Sequence, residues 1–182
     1  RSGQEVKISK RAGSYVTVRD LIDEVGRDAT RFFLAARRVD SQLTFDIDLA
    51  RSQTNENPVY YIQYGHARIA SILRLAEERG IDYSEGDVSL LNHEAELSLI
   101  RKMLLMPELV EMMARSLEPH HLPHYAVELA TAFHWFYQQC RVVSSEPDDL
   151  EITRSRLKLA EAARTVLARC LSLMSMEAPE RM

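Results

Sequence analysis

The stretch VKISKRAG near the start of the sequence, residues 6–13, carries side chains suited to binding phosphate. Lys7 and Lys10 lie on either side of Ser9, and two ammonium groups with a hydroxyl can hold a polyphosphate by charge and hydrogen bonding. As a bare pattern this is weak, because basic segments near a chain end are usually solvated. Spacing alone therefore favours a solvated segment.

A second set of candidate residues lies in the segment NPVYYIQYGHARI. Successive residues of a helix turn by about 100°, so Tyr61, Tyr64, Gly65 and Arg68 share one narrow face beside the apolar stripe of the helix. Two tyrosines with a glycine between them and an arginine can form a platform for an unstacked base, with roughly 1–3 kcal/mol of stacking per base. The competing interpretation, which the pattern alone favours, is that the rings cover a neighbouring helix and the arginine forms a surface ion pair.

The histidine-rich stretch PHHLPH suggests a metal site at first sight, with His120, His121 and His124 as ligands and His134 as a fourth. Nothing completes such a site, because no cysteine lies nearby, there is no HExxH motif and prolines stand on both sides of the trio. We therefore expect helix capping or loop packing here, and no metal. The sequence also contains no nucleophile–base pair, paired carboxylates or glycine-rich phosphate loop, so it predicts no complete active site.

Charge and composition narrow the functional classes. The 182 residues carry a net charge of −4, which argues against a general nucleic-acid binder. Residues 1–55 hold ten Lys and Arg against eight Asp and Glu, whereas residues 56–182 hold thirteen against nineteen, so RNA binding by the second part would depend on stacking and shape. Cys140 and Cys170 lie among apolar residues and are expected as buried thiols in a reducing compartment. No apolar run approaches the roughly 20 residues of a membrane span.

The elements that must position the candidate residues are predicted to be helical throughout. Thr17 and Asp28 are expected to cap two short helices separated by Gly26. The polar run at residues 52–57 marks a domain boundary. Another one or two helical turns are expected just before that run. The second short helix should bring these residues into a small core: Phe32, Phe33, Ala36 and Leu34.

Long helices are predicted beyond the boundary. Asn57 and Pro58 predict the start of one and Gly80 its end, and its apolar stripe comprises Val59, Ile62, His66, Ile69, Leu73 and Ala76. Further helices are expected from about residue 89 to 106, after Pro107, and from about 150 to 174. The helix after the histidines has a stripe of Val127, Ala130, Phe133, Tyr137 and Cys140, and the last has one of Ile152, Leu159, Ala163, Val166, Cys170 and Leu173.

Because these stripes can be buried only against one another, the predicted fold class is all-α: a small helical linking subdomain followed by a four- to five-helix bundle. Tyr137 lies on its stripe, so a core role is the default, whereas Trp135 points off it. The last helix carries an excess of cations, for which a solvated face is the first interpretation and phosphate contact the second: Arg154, Lys158, Arg164 and Arg169.

Three stretches together resemble one family, the arginyl-tRNA synthetases. KISKRAG is similar to the KMSKS signature of class I aminoacyl-tRNA synthetases, with Ile8 where the family most often has methionine. NPVYYIQYGHARI resembles the start of the family's helical anticodon-binding domain, the DALR domain. ARCLSLMSMEAPERM resembles its terminal helix and tail. The resemblance covers essentially the whole chain, and other class I synthetases are not similar to the second and third stretches together.

The resemblance implies a division into residues 1–14, the tail of a catalytic domain with the signature loop; 15–55, the linking subdomain; and 56–182, the anticodon-binding bundle. It implies that Lys7, Ser9 and Lys10 stabilise the phosphates of ATP, with Mg, in the full-length enzyme. Anticodon contacts are implied for the residues matching the family's aromatic and terminal positions, which also replaces the core default for Tyr137: Tyr61, Tyr64, Tyr137 and Met182. Arg68 joins them from its place on the same helix face.

The nucleotide-binding fold and the HIGH signature of the family are absent from the sequence. We therefore expect a fragment that binds the anticodon loop of tRNA(Arg) in the cytoplasm, needs the missing catalytic domain to aminoacylate, and holds no cofactor of its own. The alternative is a helical protein-interaction or scaffold module whose apolar face docks a partner helix. Tyr64 and Arg68, which lie outside the stripe, favour the first hypothesis.

Overall fold

The computed structural model describes residues 16–182, and within that range the regular structure is entirely helical. The predicted phosphate-binding residues Lys7, Ser9 and Lys10 lie outside the described residues. The helices are α1 (Val18–Val25), α2 (Arg27–Ala35), α3 (Ile47–Arg51), α4 (Pro58–Glu78), α5 (Glu94–Leu104), α6 (Met106–Ser116), α7 (His121–Gln139) and α8 (Leu150–Leu173).

Helices α1 to α3 form the linking region. Thr17 caps α1 as predicted, in a capping box with Asp20. The prediction that Asp28 caps α2 is wrong: the helix begins at Arg27, after Gly26 with its φ of +86°, and the Asp28 carboxylate instead accepts hydrogen bonds from distant residues. Phe32 is buried, whereas Leu34 is 44% exposed, so the small core expected here excludes Leu34.

The bundle consists of five helices. Helix α7 packs against α4, α5 and α8, helix α4 packs against α8, and α6 lies against α7. This arrangement buries one continuous apolar core, and its largest fully buried apolar side chains are Ile62, Ile69, Leu99, Leu129, Phe133, Phe136, Leu157, Leu167 and Leu171. The predicted fold class is confirmed. None of the helices among residues 16–182 has the length and apolar character needed to cross a bilayer.

Helix α4 begins and ends as its sequence predicts. The Asn57 side chain accepts from the Val59 amide at 3.1 Å and donates to the carbonyl oxygen of Ser52 at 2.8 Å. It thereby fastens the start of α4 to the linking region. Gly80 adopts a φ of +65°, and the amide of Ile81 donates to the carbonyl of Ala76 at 2.9 Å, which is a Schellman ending. All six residues of the predicted stripe are buried.

Helix α5 is shorter than predicted. It begins at Glu94 rather than near residue 89, because His93 and Glu96 form a reciprocal capping box at its start. The interruption expected at Pro107 falls at Leu105, and α6 follows at once with the proline in its first turn, where a missing amide hydrogen has no cost.

Two residues of the predicted stripes in α7 and α8 are on the surface instead. Tyr137 is 40% exposed, and its neighbour Phe136 takes the buried position. In α8, Leu173 is exposed and Leu171 is buried. Cys140 and Cys170 are buried and unpaired, as expected. Burial raises the pKa of the Cys170 thiol to about 12, so this thiol stays protonated at physiological pH.

The histidine-rich stretch belongs to the start of α7 and to the turn before it. Glu118, His120 and His121 bring one potential ligand atom each within 4.8 Å of one another. Glu118 also forms an ion pair with Arg38 of the linking region, at 3.2 Å, and His124 Nε2 lies 3.2 Å from the carbonyl oxygen of Ala36. These contacts join the linking region to the bundle, in keeping with the packing role expected from the sequence.

Candidate nucleic-acid interface

The amino-terminal half of α4 presents aromatic side chains next to α7. Tyr60 and Tyr64, one turn apart, stack in parallel with ring centroids 5.7 Å apart and an interplanar angle of 7°. Tyr61 points inward instead, packs against the core and lies 4.6 Å from the ring of His134 in α7. Gly65 is buried where the two helices approach: a Cβ atom there would lie 3.8 Å from Cβ of Ala130. The small residue lets the helices meet just below the tyrosines.

Arg68 connects this aromatic row to α7. Its Nη2 donates to the hydroxyl of Tyr64 at 2.5 Å, and its guanidinium carbon lies over two rings, 4.5 Å from the centroid of Tyr64 and 4.8 Å from that of Tyr137. Each such contact stabilises by about 0.5–2 kcal/mol, depending on desolvation. The structure thus brings three predicted site residues, Tyr64, Arg68 and Tyr137, into one cluster. We call Tyr60, Tyr64, Arg68 and Tyr137 the aromatic surface.

His134 lies beneath the aromatic surface. It is 7% exposed, its ring centroid is 6.1 Å from that of Tyr64, and its Nε2 has no hydrogen-bond partner among the described residues. Burial, reinforced by the nearby charge of Arg68, lowers the pKa of His134 from the ordinary 6.5 to about 4. The imidazole is therefore neutral at physiological pH, and it supports the tyrosines without adding a second positive charge.

Protonation of His134 should destabilise the fold in mild acid. Its pKa is about 4 in the folded chain and near 6.5 in the unfolded chain, so the stabilisation is complete above pH 6.5 and is lost progressively as the pH falls toward 4. We expect a loss on the order of 1–2 kcal/mol between pH 7 and pH 5 from this group. Urea unfolding of the wild type and of His134→Gln at both pH values measures it as the difference. Equal pH dependence of the two proteins contradicts the assignment.

The carboxy-terminal tail is fastened along α4, and this explains where Met182 lies. The buried His66 holds the tail through its Nδ1, 2.8 Å from the carbonyl oxygen of Pro179, which confirms the prediction of a satisfied core histidine. Gln63 donates to Asp28 at 2.8 Å and to the Glu177 carbonyl at 3.0 Å. These bonds explain why Asp28 is not a helix cap: its carboxylate is used between α2, α4 and the tail.

A cleft of about 540 Å³ opens between the linking region, the start of α4 and the tail. Met182 lines it together with Tyr60 and Gln63, and the cation on the opposite wall is Arg51. Since Tyr60 also stacks on Tyr64, the cleft continues the aromatic surface toward the linking region. Met182, 57% exposed, therefore lies at the far side of Tyr60 from Arg68.

The basic residues of α8 are mostly engaged within the protein. Arg154 pairs with Glu151 at 2.8 Å, Lys158 donates to the Ser84 carbonyl at 2.9 Å, and Arg164 pairs with Glu180. These partners leave little of the excess charge for phosphate. The second interpretation of this helix, phosphate contact, is therefore not supported.

Two members of the site were missed by sequence reasoning. Tyr60 was passed over because it flanks the face that holds Tyr61 and Tyr64, and His134 was weighed only as a metal ligand. A signal for His134 existed, since it lies three residues before Tyr137 on α7 and so faces the same way. Its importance follows from the close approach of the helices at Gly65, which no local pattern reveals.

Fold and site together define a helical bundle that presents tyrosines and an arginine at its surface, the type of surface that binds unstacked nucleobases. Comparison with known families agrees with this class. The profile described as the DALR anticodon binding domain matches residues 62–182, and the chain belongs to this family.

Individual relatives extend the similarity to the whole chain. An arginine–tRNA ligase of Dehalococcoides mccartyi is 58% identical over all 182 residues, which correspond to 32% of that protein. The fold matches a proposed arginyl-tRNA synthetase from Campylobacter jejuni with a TM-score of 0.81 at 28% identity, over 96% of this chain and 37% of that one. It matches the Thermus thermophilus arginyl-tRNA synthetase with a TM-score of 0.72 at 26% identity, over 95% and 29%. The chain thus spans about a third of the length of the curated relatives it matches.

Proposed function

We propose that this chain is the carboxy-terminal part of an arginyl-tRNA synthetase and that it binds the anticodon loop of tRNA(Arg). The observation that carries the proposal is the aromatic surface, in which Arg68 lies over the rings of both Tyr64 and Tyr137. Anticodon bases can be splayed out of a loop, and exposed rings with a cation between them are the groups that bind such bases.

Charge and burial support stacking as the main source of affinity. The bundle is acidic and the cations of α8 are engaged internally, so a broad grip on phosphates would be weak. Tyr64 and Tyr137 are at the surface, whereas Tyr61 faces the core and His134. Among the residues predicted to contact the anticodon, we therefore assign direct stacking to Tyr64 and Tyr137 and a supporting role to Tyr61. Met182 would contact a neighbouring nucleotide at the cleft beside Tyr60.

The remaining parts of the reaction belong to the longer protein. In it, Lys7, Ser9 and Lys10 would stabilise the phosphates of ATP and its Mg, and an upstream catalytic domain would form arginyl-adenylate and transfer arginine to the tRNA in the cytoplasm. The resemblance of KISKRAG to the class I signature supports this assignment. The role of the bundle is then to hold the anticodon end so that the acceptor end reaches the catalytic domain.

Replacing Tyr64 by alanine tests the proposal directly. Loss of one stacked base contact, about 1–3 kcal/mol, should weaken binding of a tRNA(Arg) anticodon stem-loop by roughly 5- to 150-fold. Fluorescence anisotropy with a labelled stem-loop gives the dissociation constants, with a loop of scrambled sequence as the competing ligand.

Two control variants separate stacking from other causes. Tyr64→Phe keeps the ring and removes only the hydroxyl that accepts from Arg68, so it should retain most of the affinity. Tyr83→Ala removes a tyrosine from the loop after α4, where its hydroxyl contacts Glu161 of α8, and should bind like the wild type. Equal binding of the true and scrambled loops, or unchanged binding by Tyr64→Ala, would rule out anticodon recognition through this surface.

A further inference from the structure

We propose that Arg68 is a placeholder for an anticodon base. In the RNA-free protein its guanidinium occupies the space between Tyr64 and Tyr137, and a base that enters this space displaces it toward a phosphate. The inference rests on the proposed function and adds to it a defined exchange: one planar group leaves the two rings as another arrives.

The geometry of Arg68 resembles that of a stacked base. A guanidinium is planar, delocalised and weakly hydrated, so it stacks on aromatic faces as a nucleobase does. Here it lies within 5 Å of two ring centroids, and the two rings belong to different helices. Its hydrogen bond to the Tyr64 hydroxyl holds it there. The side chain thus fills the position in which a base would contact both rings.

The charge of Arg68 is not neutralised in this position. Across residues 16–182 no carboxylate forms an ion pair with it, whereas Arg74 and Arg164 both pair with Glu180. The charge instead contributes to the lowered pKa of His134. An uncompensated cation over two rings is ready to exchange its cation–π contacts for a stronger, charge-assisted bond to phosphate.

The exchange is also balanced in energy. The cation–π contacts that Arg68 gives up contribute about 0.5–2 kcal/mol each, and the stacking of the incoming base contributes about 1–3 kcal/mol. The rings keep a planar partner in both states, so water does not have to fill and leave the gap. Ring packing supports the gap from below, because Tyr137 lies 6.2 Å from the buried Phe133 and Tyr64 lies above His134.

The position of Arg68 with and without RNA can be measured through its Nε–Hε signal in NMR spectra of the ¹⁵N-labelled chain. In the free protein this signal should be shifted upfield by the ring currents of Tyr64 and Tyr137. Its loss in Arg68→Lys assigns it, and a smaller upfield shift in Tyr137→Ala confirms which ring causes it. Saturation with the tRNA(Arg) anticodon stem-loop should remove the upfield shift.

Stem-loops that lack single bases distinguish displacement by the base from attraction by phosphate. At the loop position whose base enters the gap, an abasic nucleotide should still allow weaker binding at higher concentration and should leave the Arg68 signal upfield. The salt dependence gives a second readout: the slope of log affinity against log salt should fall by about 0.7 in Arg68→Ala. That variant should lose less affinity than Tyr64→Ala, because it also removes the group that competes for the gap.

Each result decides between specific ideas. If the stem-loop binds in preference to the scrambled loop and the Arg68 signal stays upfield at saturation, Arg68 remains between the rings and the placeholder is wrong, while the proposed function stands. If every abasic loop releases Arg68 as the intact loop does, phosphate alone moves it and the placeholder is wrong again. If true and scrambled loops bind equally, the proposed function fails and the placeholder fails with it.

Discussion

Replacing Glu96 by alanine should lower the free energy of unfolding by about 3–5 kcal/mol, because it leaves a largely buried cation without its partner. The Glu96 side chain is 1% exposed, and its Oε1 accepts from Nε of Arg156 at 2.6 Å. Its Oε2 accepts from the amide of His93 at 2.9 Å and so caps α5. The substitution therefore removes the counter-charge from α8 and the cap from α5 together.

A second ion pair on the same helix provides the matched control for Glu96. Glu94 pairs with Arg101 at 2.9 Å, but both side chains are more than 60% exposed. Exposed pairs contribute about 0.2–1 kcal/mol, so Glu94→Ala should change stability by less than 1 kcal/mol. Urea unfolding at pH 7 gives both values, provided that the m-value is unchanged.

The double variant Glu96→Ala/Arg156→Ala tests the cause. Removing Arg156 as well eliminates the unpaired charge, so the double variant should be less destabilised than the sum of the two single variants. A loss below about 1 kcal/mol in Glu96→Ala would place this pair with the exposed ones. Full additivity of the single effects would mean that the cap and the packing of the side chain, rather than the buried charge, dominate.

Local signals in the sequence predicted the helices best where the chain itself carries the stop or start. Helix α4 is the clearest case, since Asn57, Pro58 and Gly80 act through bonds to their near neighbours. The start of α5 was placed too early for the opposite reason. A histidine cap is an unusual residue for this role, and its recognition depended on seeing Glu96 reach back to the His93 amide.

Predictions failed where a residue serves a partner that is distant in sequence. Asp28 has the right side chain for a cap, but its carboxylate binds Gln63 and the amide of Glu177, far along the chain. Tyr137 and Phe136 are adjacent aromatic residues about 100° apart on α7. The stripe pattern accommodates either one, and only the position of α4 decides that Phe136 is buried and Tyr137 meets Arg68.

The candidate site was half predictable for the same reason. The spacing of Tyr64 and Arg68 already places them on one face, and the structure adds the hydrogen bond between them. The contribution of α7 could not come from spacing, because it depends on how closely α7 approaches Gly65. The family resemblance supplied Tyr137 at the sequence stage by matching an aromatic position, without saying what the side chain would contact. Its contact with Arg68 is what makes the pair an element of one site.

Gly86→Ala should destabilise the chain by about 2–3 kcal/mol, because a Cβ atom has no room there. A Cβ built on Gly86 would lie 2.7 Å from the carbonyl oxygen of Arg154 and 3.0 Å from the amide nitrogen of Ser155. Both atoms belong to the backbone of α8, which is fixed by its own hydrogen bonds and cannot yield as a flexible side chain would. The loop would have to move away from the helix.

The cost of moving this loop follows from the bonds that hold it. The hydroxyl of Ser155, which is fully buried, donates to the carbonyl of Asp87 at 2.7 Å, and Lys158 donates to the carbonyl of Ser84 at 2.9 Å. A shift sufficient to relieve the clash stretches or breaks these bonds, and buried groups left without partners cost about 1–3 kcal/mol each. The Gly86 amide also closes a turn onto the carbonyl of Tyr83 at 3.0 Å.

Gly65→Ala is the matched control, since this glycine is also buried against a neighbouring helix. Its Cβ would lie 3.5 Å from Nε2 of His134 and 3.8 Å from Cβ of Ala130, which are ordinary contacts. Alanine is favoured over glycine within a helix by about 1 kcal/mol, so the variant should be as stable as the wild type or slightly more stable. Thermal and urea unfolding of both variants measure the contrast. Equal stability of Gly86→Ala and Gly65→Ala would mean that the loop after α4 is free to leave α8, because the clash with the Arg154 carbonyl could then be relieved without loss.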